Sequence, residues 1–154
     1  MAYTIRRPRI SDFDQINTLG KWFQENSFYS HCGWSDGKCF AWLVSGTDPE
    51  SSTFIRVVDK DDEVIGFFLG TITEYFFSHK KIAQDLVMVF DPEERVGIVK
   101  PIITLVREFT AWAESKNANE VCIGITSGIA GKGYESLILR SGFKQVGNIM
   151  KRKV

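Results

Sequence analysis

An α/β (α+β) domain, with a mixed central sheet of about six to seven strands and about four flanking helices, is the architecture this 154-residue sequence predicts. Three observations lead there. DLVMVF (residues 85–90) is an almost unbroken apolar run, as expected of a central strand covered on both faces. Ile98, Ile102, Leu105, Val106, Phe109, Trp112 and Ala113 recur with a period near 3.6, the mark of a long amphipathic helix from about Gly97 to Lys116. The remaining strand-like and helix-like runs then fall in the order β-α-α-β-β-β-α-β-α-β-β. The length suits one core, so residues 1–154 are read as a single domain, without repeats or linkers.

Each element has its own warrant. Residues 3–8 alternate like a strand, and Ser11 followed by Asp14 reads as a capping box opening a helix to about Glu25, with Phe13, Ile16, Leu19 and Phe23 on one face. NSFYSHCGWSDG (26–37) is an aromatic, turn-rich loop before a second short helix, CFAWLV, that ends at Gly46. TFIRVVD (53–59) and VIGFFLGTIT (64–73) flank the polar turn KDDE and predict an antiparallel hairpin. The fourth strand is 85–90, and Pro101 fits only the first turn of the long helix after it. EVCIGIT (120–126) reads as a buried fifth strand, residues 132–141 as a short helix, and FKQVG with NIMKRKV as a closing strand pair.

Composition excludes several classes of function. Hydrophobic residues at 44% and charged residues at 25% describe an ordinary globular chain. Lys plus Arg equal Asp plus Glu at 19 each, so no summed positive field draws the protein to nucleic acid or to anionic lipid. The opening MAYTIRRPRI has no apolar signal core, and no run approaches the roughly 20 residues that span a bilayer, so a cytoplasmic location is expected. Cys32, Cys39 and Cys122 are odd in number and lack C-x-x-C spacing, which argues for reduced thiols; no metal site is expected.

The chemistry-bearing feature is a buried strand, then DPEERVG, then a long helix. The first N–H groups of a helix have no internal partner and the helix dipole adds positive charge, so the turn presents an anion site. Gly97 permits close approach of a phosphate, and Arg95 and Lys100 add charge. A plain connection with a solvated Glu-Glu-Arg cluster is the competing reading.

The element order, the strand-turn-helix at 85–116 and the ending ESLILRSGFKQVG together resemble the GNAT (Gcn5-related N-acetyltransferase) superfamily over essentially the whole chain. The family pattern D-P-x-x-R-G-x-G-x-G is matched by Asp91, Pro92, Arg95, Val96 and Gly97, and its later Gly-Phe pair by Gly142 and Phe143. EYFFSHKKIAQDLVMVFDPEERVG (74–97) and IGITSGI (123–129) are closest to a bacteriophage-type branch. The resemblance implies acetyl-CoA as co-substrate, with its pyrophosphate on Arg95, Val96, Gly97, Ile98, Val99 and Lys100. It also implies fourth and fifth strands that splay apart, with pantetheine pairing to the exposed strand at Val89 and Phe90. The implied reaction is direct attack of a primary amine, on a small molecule or a peptide, in a ternary complex. Glu74 and Asp85 are the candidate general bases. Family members often form homodimers.

The family pattern is broken in two ways. Only Gly97 remains of the glycines expected in the turn, with Val96 and Val99 at neighbouring positions, and Ile138 occupies the place of the family's acid tyrosine. Tyr134, one turn earlier on the same helix face, is the candidate substitute as catalytic acid. These departures keep open an alternative, a catalytically inactive GNAT-fold binding or virion-associated module. The acceptor cleft is expected to be aromatic, lined by Tyr29, His31, Trp34 and Phe40 on one side and Tyr75, Phe76, Phe77 and His79 on the other.

Overall fold

A computed structural model of the chain describes residues 2–94, 97–129 and 132–154. Arg95 and Val96, both expected at the anion site, lie outside the described residues. Five strands form one sheet in the order β1-β2-β3-β4-β5, with β1 Thr4–Arg6, β2 Thr53–Lys60, β3 Glu63–Glu74, β4 Lys81–Phe90 and β5 Ala118–Cys122. The first four are antiparallel neighbours, and β5 joins β4 in parallel. The helices are α1 Phe13–Asn26, α2 Asp36–Thr47, α3 Val99–Ser115 and α4 Lys132–Arg140. None of the described helices is long and apolar enough to cross a membrane.

β2 and β3 are buried on both faces, and alternation of their side chains, reset by a register shift at Val58/Asp59, supplies two cores, one on each face of the sheet. Phe54, Val58, Phe68 and Ala83 pack on Leu105, Phe109 and Ala113 of α3. Val57, Val64, Phe67 and Val89 pack on Ile16 and Leu19 of α1 and Leu43 of α2. The α3 side is cemented by aromatics, with ring centroids 5.1 Å apart for Phe54–Phe109 and 4.8 Å for Phe68–Phe109. Close to the long-helix expectation, α3 begins at Val99, and Pro101 sits buried in its first turn, where its missing N–H costs nothing.

Four expectations need correction. The described sheet has five strands, not six or seven, because residues 143–154 form no strand. The edge they would extend is the five-residue β5, whose Asn119, Glu120 and Cys122 are exposed, and two more strands would gain little apolar burial there. β5 is therefore a half-exposed edge rather than a buried strand, and Cys122 is exposed with it. Entry into α1 also differs from the Ser11–Asp14 capping box. Asp12, 5% exposed, accepts the Arg9 N–H at 2.7 Å and a fork of two bonds from Arg6. Burial pushes the Asp12 carboxyl up, but Arg6 and the Arg9 amide outweigh it and hold it below the usual carboxylate range.

Candidate functional site

β4 keeps β3 beside it from Lys81 to Phe90, whereas its register with β5 covers only Lys81 to Gln84. Beyond Gln84 the two parallel strands diverge, and a cleft of about 920 Å³ opens along Asp85 to Pro92. A bulge sets the geometry: Val87 faces Leu69 and Asp85 faces Gly70, which leaves Leu86 as the extra residue. Bulges bend a strand and reset which face its side chains take. Past the bulge, Val87 and Val89 face the α1–α2 core, while Met88 and Phe90 face α3. Before it, Asp85 lies opposite Gly70, at which a Cβ would meet Phe109 of α3 at 2.5 Å. Opposed residues share a face, so Asp85 is delivered to the α3–α4 side of the cleft. Without the bulge it would share the face of Val87 and Val89.

Asp85 stands at the fork of the two strands. Its Oδ1 accepts the Gly124 N–H at 2.8 Å, which ties the chain just past β5 to β4. Burial pushes its carboxyl up to about 6, against the opposing pull of the Gly124 amide. Such a group titrates close to neutrality, which suits proton transfer. Tyr134 lines the same cleft from α4. Burial, and then the Asp85 charge, raise its hydroxyl above the ordinary tyrosine range, so it remains a proton donor at neutral pH.

Ile138, which occupies the family's tyrosine place by counting from Gly142 and Phe143, is 5% exposed and packs on Ile102 and Val106. The phenol that α4 brings to the cleft is therefore Tyr134. Cys122 is no rival nucleophile, because partial desolvation and then the Glu120 and Asp85 charges raise its thiol and suppress the thiolate.

At the other end of the cleft, Ile98 and Val99 join Asp91 and Pro92 in the lining. The α3 start has no side-chain cap and no acidic residue in its first turn, which leaves the amides of Val99 and Lys100 directed outward. Gly97 has φ of +89°, and a Cβ there would meet nothing within 4 Å. The conformation calls for glycine while the space in front of it is open. Lys100 is exposed on the first turn. The nearby acids are engaged elsewhere: Glu94 is held by Lys60 at 2.7 Å, and Asp91 accepts the Glu93 N–H at 2.9 Å.

Several expected site residues fall in different places. Asp91 donates its N–H to Ile65 O at 2.8 Å, so alternation along β4 turns the Val89 amide toward β3 as well. Met88 and Phe90 present their amides to the open edge; Val89, 2% exposed, contributes wall and not hydrogen bonds. Glu74 pairs with Lys81, about 13 Å along the strand from Asp85. It faces His79 at 3.4 Å, half-exposed and outside the cleft lining. The expected ring of aromatics is mostly dispersed: Phe76 and Phe77 are 99% and 71% exposed at a hairpin tip, Phe40 packs on Phe13, and Trp34 on Gly20. Tyr29 alone of that set lines the cleft, joined by Trp22 and Phe23 of α1.

No local pattern in the sequence signals the contacts that hold Tyr29. Gln24 Nε2 donates to Tyr29 O at 2.8 Å, Phe28 N donates to Ser127 O at 2.8 Å, and the Tyr29 hydroxyl shares a 2.7 Å hydrogen bond with Thr126 Oγ1. The end of α1 is thereby laced to residues 124–129 across the mouth of the cleft. Lys151 from the C-terminal segment reaches the same hydroxyl.

No protein-family model matches the chain, and no curated protein sequence matches it. Solved structures do. Glucosamine-6-phosphate N-acetyltransferase from Arabidopsis thaliana superposes with a TM-score of 0.72 at 13% identity, covering 99% of each chain. The aminoglycoside N-acetyltransferase AAC(6')-Iy, in complex with the bisubstrate analogue CoA-S-monomethyl-acetylneamine, gives a TM-score of 0.74 at 13% identity, over 100% of this chain and 99% of that one. A transcriptional regulator from Bacillus halodurans C-125 gives 0.72 at 16% identity, over 99% of this chain and 100% of that one. At these identities the likeness establishes a shared fold and nothing further.

Proposed function

We propose that this protein is an N-acetyltransferase that binds acetyl-CoA along the open edge of β4 and passes the acetyl group directly to a primary amine. The observation that carries the reading is the separation of β4 from β5 beyond Gln84, with Asp85 and Tyr134 on one cleft and the α3 amides at its far end. Two of the structural neighbours, an acetyltransferase of an amino sugar phosphate and one of aminoglycosides, support the reaction class and the co-substrate. The likeness of residues 74–97 and 123–129 to bacteriophage-type sequences supports a place near that branch.

Residues at both ends of the cleft fit CoA. The outward amides of Val99 and Lys100 would take the pyrophosphate, with Gly97 and Ile98 beside it and the Lys100 ammonium close by. Met88 and Phe90, whose amides face the open edge of β4, would hold the pantetheine arm as an added strand, one amide polarising the thioester carbonyl oxygen. Asp85, with its carboxyl near 6, is mostly ionised at neutral pH and would take the proton of the attacking ammonium, directly or through water. Tyr134 would protonate the departing thiolate. As the N–C bond forms and the C–S bond breaks, the nitrogen gives up two protons in all, one to Asp85 before attack and one as the amide forms; sulfur gains one from Tyr134, which is reprotonated, and the balance is one proton released to solvent.

Calorimetric titration with acetyl-CoA tests the premise. Binding in the micromolar range, about −8 kcal/mol, is expected; a folded sample that binds neither acetyl-CoA nor CoA refutes it. Tyr134→Phe is expected to lower turnover about 10- to 100-fold while acetyl-CoA affinity stays within a factor of two or so, because the ring still fills its place beside Ile102 and Leu137. Undiminished turnover would return Tyr134 to a packing role.

A further inference from the structure

Lys151 makes a contact that the chemistry above leaves unexplained. Its Nζ donates to the Tyr29 hydroxyl and, at 3.3 Å, to Thr126 O, and it lies 4.0 Å from the centroid of the Tyr29 ring. An ammonium is thus met by a hydroxyl, a carbonyl and a ring face, the three neutral groups that best replace its water. All belong to residues that line the cleft with Asp85 and Tyr134.

The cage does not depend on the tail that fills it. Gln24, the Phe28–Ser127 backbone bond and the Tyr29–Thr126 hydroxyl pair fix it from α1 and the 124–129 loop alone. Nor does apolar burial place the tail: Ile149 and Met150 are 69% and 91% exposed beside Lys151. The ammonium is what engages. The Tyr29 hydroxyl also senses the Asp85 charge, so the cage lies in a field that favours cations.

We propose that the Tyr29 ring and hydroxyl and the Thr126 carbonyl form the subsite for the acceptor's ammonium, that the acceptor class is an unbranched primary alkylamine of the lysine side-chain kind, and that Lys151 occupies this subsite in cis. The proposal rests on the acetyltransferase reading and names its acceptor. A tethered lysine acts at an effective concentration of order millimolar, enough to compete with a weakly held free amine. The acceptor must displace the tail before it can be acetylated.

The test is calorimetric titration with Nα-acetyl-lysinamide, without acetyl-CoA, so that failure of the acceptor site is distinct from failure of acetyl-CoA binding. Lys151→Ala is expected to bind this probe about 10-fold more tightly than the native chain. Adding Tyr29→Leu should abolish the gain, and adding Tyr29→Phe, which keeps the ring, should retain part of it. Nα-acetyl-norleucinamide, which lacks the ammonium, should bind none of them. Equal affinity of the lysine probe for the native and Lys151→Ala proteins, or equal binding of both probes, overturns the proposal. Unfolding temperatures of the variants identify any that fail to fold, and the Tyr29→Phe pair keeps the test open if Tyr29→Leu does.

Discussion

Asp85→Asn is expected to lower kcat/KM about 100- to 1000-fold, the range for losing a positioned general base. Asn keeps an oxygen for the Gly124 N–H, so the strand fork that this bond ties should survive. The pH profile separates this role from a structural one. In the native protein activity should rise with pH through about 6, where Asp85 ionises, and level off above it; the variant should lose that limb. A variant whose rate and profile match the native protein would remove Asp85 from the chemistry.

The same substitution should raise stability. The folded protein holds the Asp85 carboxyl at about 6 against an ordinary value of 3.8, so the fold favours the protonated form. The stability linked to that preference is fully present below pH 3.8 and is lost as pH rises through about 6. Above that point the ionised carboxylate destabilises the fold, by roughly 2–3 kcal/mol. Asn carries no charge, so thermal unfolding should show Asp85→Asn more stable than the native chain at pH 8 and nearly equal to it at pH 4. Gain of stability with loss of activity is the pattern of a functional charge held in a poorly solvated site.

Gly97→Asp is expected to weaken acetyl-CoA binding about 100-fold by calorimetry. A side chain at φ of +89° is strained, and a carboxylate there would face the pyrophosphate. Because a Cβ at Gly97 meets no neighbour within 4 Å, the variant should still fold. S-acetylpantetheine, which lacks the pyrophosphate, should bind the native and variant proteins alike. Equal acetyl-CoA affinity for the two proteins would take Gly97 out of the anion site, whereas parallel loss of both ligands would indicate a general distortion of the cleft.

Local pattern in the sequence determined the α/β class, the long α3 and the strand-turn-helix at its start. Alternation with a period of two or 3.6 is written in consecutive residues, and Phe54, Val57 and Val58 declare their faces that way, although the β2–β3 register shift resets the alternation before Phe67 and Phe68. Gly97 was legible for the same reason, since a left-handed residue before a helix is a one-residue requirement. Tyr134 was legible only as one phenol one turn from Ile138; packing buries Ile138 on α3 and leaves Tyr134 in the cleft lining.

What depended on distant partners stayed hidden. A single unpaired Leu86 reverses the faces of β4, so alternation read from 85–90 could neither place Asp85 on the α3 side nor tell Met88 and Phe90 from Val89 at the open edge. Glu74 and Asp85 looked alike as carboxylates at strand ends, and only the point at which β5 leaves β4 put one at the fork and the other beside His79. The cage at Tyr29 joins residues 97 and 122 positions apart in the chain. No periodicity links Tyr29, Thr126 and Lys151; the tertiary structure alone brings together a ring, a carbonyl and an ammonium, because each comes from a different part of the chain.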